Sequence, residues 1–385
     1  MFLAAWVAIQ HGFYADERID DTAVYQAYGD AIVNGELPYR DFRPEYPPAA
    51  LPVFAVPSLA QADEGLAAYT RAFAWVMAAC GVALIFAVAA INRSWPVLGF
   101  LALWPLALGS VALARYDLWP AALTAGALAA FLSGRDRLGA GTLALAVAAK
   151  IYPVALVPLA AVWVWRRGRL GVCAAIFAAV LFAVFLPFAI LGPEGLASSL
   201  GRQLSRPLQI ESLWAAVLIV LPLDVEMVGS HGSQNIAGRL GDVVGTVATL
   251  VQVAVLAAIW IAFARGAATR ERLVRYAALT LVALVALGKV LSPQFLIWLI
   301  PVVPLAGLAP AALLAAALVL TQTWFPYRYW DYARDFDGTV TGLVLARDLV
   351  LLALLGVLAS PPGRGWLRRR VPFLRRRTPP AAPRS

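Results

Sequence analysis

The sequence predicts an all-α, polytopic membrane protein, a helical bundle of about 10–12 transmembrane or re-entrant helices. Three observations lead to this prediction. The 385 residues are 62% hydrophobic and 14% charged, whereas soluble domains carry about 25% charged residues. Several apolar runs have the length of about 15–25 residues that crosses a bilayer as a helix. Arginine-rich clusters separate these runs, as cytoplasmic anchors do.

The basic residues set the expected orientation of the bundle. The net charge is +9, but the charges lie in short loops and a tail, a pattern that does not indicate a nucleic-acid partner. The densest arginine clusters are at 165–169, 264–275 and 363–377. We expect all three on the cytoplasmic side, with the tail near anionic membrane lipids.

The apolar runs predict the elements in chain order. Spans are expected near 1–14, 67–91, 97–114, 118–132, 170–191, 240–263, 276–290, 295–308, 309–322 and 340–359, with a short hairpin formed by 139–149 and 151–165. The first run is short, so we expect a transmembrane helix whose upstream residues are missing. Segment 213–222 is predicted to be re-entrant, and 47–62 to insert only partly.

One domain accounts for nearly all of the chain. We expect a single transmembrane domain at 1–360, with 15–66 as its first extracytoplasmic loop, and a disordered basic tail at 361–385. This topology sends most of the remaining polar residues outside, in segments 15–66, 114–117, 150–153, 192–212, 223–238, 289–294 and 322–338. That convergence predicts a functional face outside the cytoplasm.

Two adjacent acids follow the first apolar run. Asp20 and Asp21 would lie at the membrane boundary beside aromatic residues, where partial desolvation makes a carboxylate a better base. The alternative is structural, because "D-T-A-V-Y" is also typical of a helix start with Asp at the N-cap. The residues alone leave both interpretations open.

The only two lysines stand in apolar surroundings. Lys150 lies in "AAKIYPVALVP" and Lys289 in "ALGKVLSPQFLIW". Ionisable residues at membrane depth mark functional sites by default, and a lysine there suits a lipid phosphate. The alternative is that each side chain extends to the interface, with its ammonium in water.

Other charged residues on the predicted outer face allow the same two explanations. Arg115 and Arg206 are positive charges on the predicted outer face, whereas such charges usually lie on the cytoplasmic side. A bound phosphate would explain their position. A salt bridge, such as one between Arg115 and Asp117, would explain some of these charges equally well. The segment 327–337, "YRYWDYARDFD", is typical of a sugar site but also of an interfacial aromatic belt. No motif for a metal or a cofactor was found.

Several motifs resemble one known superfamily. "D-T-A-V-Y" followed by "GELPYRDFRPEYPP" is similar to the first extracytoplasmic loop of the GT-C glycosyltransferases, most closely the bacterial polyprenyl-phosphate-mannose-dependent α-mannosyltransferases of glycosyltransferase family 87. "RYDLWPAAL", "AAKIYPVALVP" and "KVLSPQFLIWLIP" show a looser resemblance. Together the motifs run from about residue 20 to about residue 330.

The resemblance implies an inverting hexosyltransferase of the bacterial plasma membrane with an extracytoplasmic active face. It would move a sugar, with mannose as first candidate, from a polyprenyl-phosphate donor to a lipid or glycan hydroxyl, without a metal or cofactor. The matching general base is Asp21, with Asp20 as the fallback. The expected phosphate-binding residues are Lys150, Lys289, Arg115 and Arg206, and the expected substrate contacts are Tyr25, Tyr46, Tyr152, Asp117, Gln294 and Tyr327.

Three other classes compete with this interpretation. A transporter or flippase of lipid-linked sugars predicts matched halves and polar residues along a central pathway, whereas the polar residues here gather on one face. A membrane scaffold gives no reason for a loop rich in acids and tyrosines. A sibling enzyme that uses another lipid-linked sugar, such as arabinose, fits the sequence nearly as well.

Overall fold

The protein is an all-α, polytopic membrane bundle. The computed structural model describes residues 1–12, 14, 19–60, 65–221, 223 and 225–360. The predicted basic tail at 361–385, which includes the third arginine cluster, lies outside the described residues. A continuous set of buried apolar side chains extends from Phe2 to Leu358 and forms one core.

Helices account for most of the described chain. The first part contains α1 (Phe2–Ala8), α2 (Thr22–Val33), α3 (Leu51–Ala60), α4 (Gly65–Ile91), α5 (Trp95–Leu108), α6 (Val111–Ala114), α7 (Leu118–Leu132), α8 (Asp136–Ala149) and α9 (Val157–Trp165). The second part contains α10 (Leu170–Leu191), α11 (Pro193–Leu204), α12 (Leu213–Val220), α13 (Gly238–Arg265), α14 (Arg270–Ala286), α15 (Leu308–Gln322), α16 (Tyr329–Asp335) and α17 (Gly338–Ala359).

Short elements connect these helices. The 3₁₀ helices are Pro48–Ala50, Tyr152–Leu156, Pro293–Leu299 and Pro304–Ala306. An antiparallel hairpin joins β1 (Met227–Ser230) to β2 (Ser233–Ile236), with Met227 opposite Ile236. The sequence predicted this region only as a loop, because two four-residue strands leave too little alternation to recognise.

Within the described residues, four helices are long and apolar enough to cross a membrane: α4, α10, α13 and α17. They coincide with the predicted spans at 67–91, 170–191, 240–263 and 340–359. Shorter apolar helical segments are Pro48–Ala60, Trp95–Leu108, Leu118–Leu132, Tyr152–Trp165 and Leu308–Gln322. The bundle therefore combines helices of membrane-spanning length with shorter apolar ones.

Proline and glycine explain where the predicted spans are interrupted. The expectation of one regular span at 295–308 is wrong, because this stretch forms two 3₁₀ helices that each begin at a proline, Pro293 and Pro304. Pro301 and Pro304 both lie inside the expected span, and a proline in a helix interior removes one backbone hydrogen bond and clashes with the preceding turn. The span expected at 97–114 is also divided, since Gly109 adopts a positive φ of 67° between α5 and α6.

Helices α7 and α8 give the bundle two chemically different ends. They pack against each other and are joined by a short turn at 133–135. Asp117 precedes α7 and Lys150 follows α8, so both lie at the end opposite that turn. The basic turn 166–169 shares the turn end, because Arg169 donates to the carbonyl of Gly134 at 3.3 Å.

Helices α2 and α3 approach so closely that only glycine fits at position 29. A Cβ there would overlap the Phe54 carbonyl oxygen and Ser58 Oγ. We expect Gly29→Ala to lower the thermal unfolding midpoint in detergent, because overpacking a close contact costs about 1–3 kcal/mol. Gly356→Ala in α17 meets nothing within 4 Å and should leave the midpoint close to wild type. Equal midpoints for the two variants would contradict this account of the contact.

Candidate functional site

The two adjacent acids have different partners. Asp21 occupies the N-cap position of α2, but its carboxylate makes no capping bond. Its Oδ2 instead accepts hydrogen bonds from Arg115 and from the Tyr25 hydroxyl, the latter at 3.3 Å. Asp20 Oδ1 accepts from the backbone N–H and the hydroxyl of Thr22, at 3.4 and 3.0 Å. The local structural role therefore falls to Asp20, and Asp21 faces the interior of the bundle.

Arg115 anchors this acid from the turn between α6 and α7. Its side chain is buried, with one Nη paired to Asp21 and the other donating to the carbonyl of Ile19 at 3.1 Å. Its Nε–H has no hydrogen-bond partner among the described residues. The alternative salt bridge between Arg115 and Asp117 is not formed, because each residue has another ion-pair partner.

Asp117 forms a second ion pair beside the first. Its side chain is 1% exposed, and Oδ1 accepts from Lys150 Nζ at 2.6 Å and from Trp298 Nε1 at 2.5 Å. The Lys150 ammonium also lies 4.5 Å from the centre of the Tyr116 ring and 5.4 Å from that of Trp298. A carboxylate and two aromatic faces therefore hold the lysine that the sequence assigned to a lipid phosphate.

Stacked rings form one wall next to Lys150. Tyr152 and Trp298 are parallel, with centroids 4.3 Å apart and an interplanar angle of 1°, and Phe295 stacks on Trp298 at 3.9 Å. The Tyr152 hydroxyl lies 3.1 Å from the Thr124 hydroxyl. Gln294 precedes Phe295 in the same 3₁₀ helix, and its buried Oε1 has no partner among the described residues.

A second aromatic group joins the two ion pairs. Tyr25 stacks on Phe54 at 4.5 Å, and Tyr46 meets Tyr116 edge to face at 4.9 Å. Tyr25 and Tyr116 also contact each other, with centroids 5.9 Å apart. The structure therefore brings together seven of the predicted residues: Asp21, Arg115, Asp117, Lys150, Tyr25, Tyr46 and Tyr152. We call these seven, with Tyr116 and Trp298, the polar cluster.

Arg206 lies beside the polar cluster. Its guanidinium interacts electrostatically with Lys150, Tyr46 and the acids Glu45 and Glu211. Burial lowers the pKa of Arg206, although Glu211 opposes this effect. Its buried Nε–H has no partner among the described residues, so it can still donate to an anion.

Glu211 is a site residue that the sequence analysis missed. Its side chain is 2% exposed, and it interacts electrostatically with Arg347, Arg206 and Arg115. Burial raises its pKa to about 7. Hydrogen bonds to the backbone fix the segment around it. The Gln209 N–H donates to the Lys289 carbonyl, and the Ile210 N–H donates to the Gln234 carbonyl. Two side chains also donate to this segment: Tyr332 Oη to the Ile210 carbonyl and Arg347 Nη2 to the Glu211 carbonyl.

The first loop is attached to helix α11. The Tyr39 carbonyl packs against Gly192 and Gly195, where a Cβ would overlap its backbone atoms. The Tyr39 hydroxyl donates to the carbonyl of Tyr46 at 2.6 Å. Farther along the loop, Glu45 pairs with Arg202 of α11 at 3.2 Å. These contacts hold Tyr46, a member of the polar cluster, beside the segment that carries Arg206.

Lys289 and Tyr327 are predicted residues that are not among the nine of the polar cluster. Lys289 makes no ion pair or cation–π contact within the described part of the chain, and its side-chain stem lies near Gly245. Tyr327 is 61% exposed and follows the Phe325–Pro326 bond. Their substrate roles remain predictions.

The missed residues had recognisable signals. Glu211 is a single acid two residues before the apolar run that begins at Leu213. Arg347 and Asp348 are adjacent charges within α17 that pair at 2.7 Å, both fully buried. Lys150 and Lys289 were predicted as site residues because ionisable residues at membrane depth are functional by default. The same reasoning applies to Glu211, Arg347 and Asp348. Trp298 carried no comparable signal, because tryptophans are common throughout this chain.

The fold and the polar cluster define a polytopic membrane protein with an ionic, aromatic site at one end of its bundle. The model of the family described as glycosyltransferase family 87 matches residues 45–293, more than half of the chain, and the chain belongs to that family. It is therefore a membrane glycosyltransferase, as the sequence motifs predicted. The matched range contains Arg115, Asp117, Lys150 and Arg206, whereas Asp21 precedes it. No curated protein matches the chain.

The raised pKa of Glu211 makes stability depend on pH. An acid whose pKa is higher in the folded state stabilises the protein fully below its unfolded value of about 4.5, and this stability is lost as pH rises through about 7. We expect the unfolding midpoint of the wild type to fall between pH 5 and pH 8, and Glu211→Gln to remove much of that fall. Each pKa unit corresponds to about 1.4 kcal/mol.

Thermal unfolding in detergent at several pH values measures this effect. Glu226→Gln is the control, because Glu226 is an exposed acid and its loss should leave the wild-type slope unchanged. An unaltered slope in Glu211→Gln would show that other groups cause the pH dependence.

Proposed function

We propose that the protein transfers a hexose, with mannose as first candidate, from a polyprenyl-phosphate donor to a hydroxyl of a lipid or glycan acceptor. The observation that carries this proposal is the geometry around Asp21. One carboxylate oxygen is held by Arg115 and Tyr25, while Oδ1 makes no hydrogen bond with the described residues. The side chain is 33% exposed, so Oδ1 can accept a proton from an incoming hydroxyl.

The proposed reaction uses that arrangement. Asp21 takes the proton of the acceptor hydroxyl as its oxygen forms a bond to the anomeric carbon. The bond between that carbon and the donor phosphate breaks on the opposite side, so the configuration inverts. The electron pair leaves with the polyprenyl phosphate, whose growing negative charge requires cations already in place.

Lys150, Arg115 and Arg206 are the cations proposed for this role. Arg115 and Arg206 each keep an unpartnered Nε–H within the described residues. The Lys150 ammonium lies beside the stacked rings of Tyr152 and Trp298. Such rings offer apolar faces to a sugar ring or to the first isoprene units of the donor.

The position of the polar cluster supports an extracytoplasmic reaction in the bacterial plasma membrane. Asp117 and Lys150 lie at the end of α7 and α8 opposite the basic turns. Arginine-rich loops favour the cytoplasmic side, which supports an extracytoplasmic position for the polar cluster. We propose that 1–360 forms one catalytic domain, consistent with its continuous apolar core.

The donor class and the base are tested together. The purified protein is given radiolabelled sugar as polyprenyl-phosphate mannose, polyprenyl-phosphate arabinose or a nucleotide-linked mannose, with membrane lipid extract as acceptor. We expect transfer from the polyprenyl-phosphate mannose and at least about a 100-fold loss of rate in Asp21→Asn, since general bases contribute about 10²–10⁴-fold.

Two neighbouring acids are the controls. Asp30→Asn, in the same helix α2, should retain most activity, and Asp20→Asn should lose much less than Asp21→Asn. Transfer from the nucleotide sugar would overturn the donor proposal, and use of arabinose alone would replace mannose. A larger loss in Asp20→Asn would move the base by one residue. The activities are compared only among variants that keep the wild-type thermal unfolding midpoint, so that a loss of activity does not reflect unfolding.

A second prediction concerns the donor phosphate. We expect Arg206→Gln to raise the KM for the lipid donor about tenfold or more, because a charge-assisted hydrogen bond contributes about 1.5–3 kcal/mol. Arg202→Gln is the matched control in the same region, since its pair with Glu45 is partly exposed and such pairs contribute about 0–1 kcal/mol. Equal KM changes in both variants would exclude a specific phosphate contact for Arg206.

A further inference from the structure

A second concave region lies at the opposite end of the bundle from the polar cluster. It is a cavity of about 420 Å³ lined by residues that begin helices α8 and α10, among them Arg135, Arg137 and Arg169. Helix α8 has 14 residues and rises about 1.5 Å per residue, so about 20 Å separates this cavity from Lys150. The cavity therefore does not belong to the proposed reaction site.

The cavity carries unpaired positive charge. Asp136 is buried and accepts from Arg169 at 3.1 Å, with Arg167 at 3.6 Å. These contacts engage Oδ2 of Asp136, the one acid in the lining, and hold Arg169 in place, while the buried Oδ1 has no hydrogen-bond partner among the described residues. Arg135 and Arg137 are exposed at the cavity and have no ion-pair or hydrogen-bond partner for their side chains among the described residues. The lining therefore keeps a net positive charge.

The backbone adds to this charge. Helix α8 begins after Arg135 and helix α10 after Arg169, and neither helix has a side-chain cap. The first-turn N–H groups of both helices lack a partner within their own helix, and each helix N-terminus carries a partial positive charge. Cationic side chains and two helix starts in one cavity favour a phosphate group.

The surroundings of the cavity favour a lipid over a soluble anion. Leu138 of the lining is 55% exposed, and Val172 is 38% exposed. Val172 lies in the first turn of α10, and the most apolar stretch of 18 residues in this helix contains no buried residue. Phe182 and Ile190 continue the exposed apolar surface along the same helix. A molecule whose phosphate enters the cavity can therefore lay its acyl chains along α10.

We propose that this cavity binds the headgroup of an anionic membrane phospholipid. The phosphate lies between Arg135 and Arg137, and the chains follow α10 towards the centre of the bilayer. A zwitterionic headgroup would bring its own cation next to these arginines, so an anionic headgroup such as that of phosphatidylglycerol binds more tightly. This lipid site is separate from the donor site and does not depend on the proposed reaction.

Native mass spectrometry of the purified full chain tests the proposal. Delipidated protein in a neutral detergent is titrated with phosphatidylglycerol, phosphatidylcholine or glycerol phosphate. We expect phosphatidylglycerol to bind more tightly than phosphatidylcholine, and the double variant Arg135→Gln/Arg137→Gln to lose about tenfold or more of that affinity. Glycosyl transfer by the double variant should match the wild type.

The control removes the same charge elsewhere on the basic end. Arg93 and Arg265 are exposed and lie outside the cavity lining, so Arg93→Gln/Arg265→Gln should keep the wild-type affinity. A similar loss in this control would reduce the effect to general surface charge and overturn the site. Equal binding of the two phospholipids would also overturn it. Displacement by an equal concentration of glycerol phosphate would show a soluble-phosphate site instead of a lipid site.

Discussion

The ion pair between Arg115 and Asp21 determines how the polar end of the bundle is arranged. Removing a charge from water is expensive, and a buried arginine without a partner would cost several kcal/mol. Arg115 is buried, so the start of α2 must remain where its carboxylate can meet the guanidinium. The neighbouring pair of Asp117 and Lys150 obeys the same constraint. The first loop, the α6–α7 turn and the α8–α9 turn are thereby held together.

This pairing also explains why the aromatic residues concentrate at this end. Tyr25, Tyr46 and Tyr116 fill the space between the two ion pairs, and they exclude water while still offering hydroxyl groups. In such surroundings electrostatic attraction is stronger than in water. Each cation is then restrained by a carboxylate or a ring, which keeps its position without a bound substrate. The same restraint suits a site that must meet growing negative charge without rearranging.

The sequence predicted the fold class and the four long spans because both depend on composition and length. The positions of the arginine clusters predicted that the remaining polar residues gather at one end of the bundle. Seven of the predicted site residues lie together in the polar cluster at that end. The sequence could not predict partners: Arg115 and Asp117 are two residues apart, yet each pairs with a distant residue. Such choices depend on how helices pack. Trp298 entered the site for that reason, through contacts that no local pattern records, whereas Glu211 carried the same signal as the lysines, an ionisable residue next to an apolar run.

The contact of Tyr39 with Gly192 and Gly195 has a mechanical consequence. Backbone meets backbone there without an intervening side chain, so the first loop packs directly against the start of α11. The Glu45–Arg202 pair and the hydrogen bond from Gln203 to the Glu45 carbonyl at 3.1 Å extend this attachment. Lifting the loop alone would break these contacts, so movement of the loop is coupled to movement of α11.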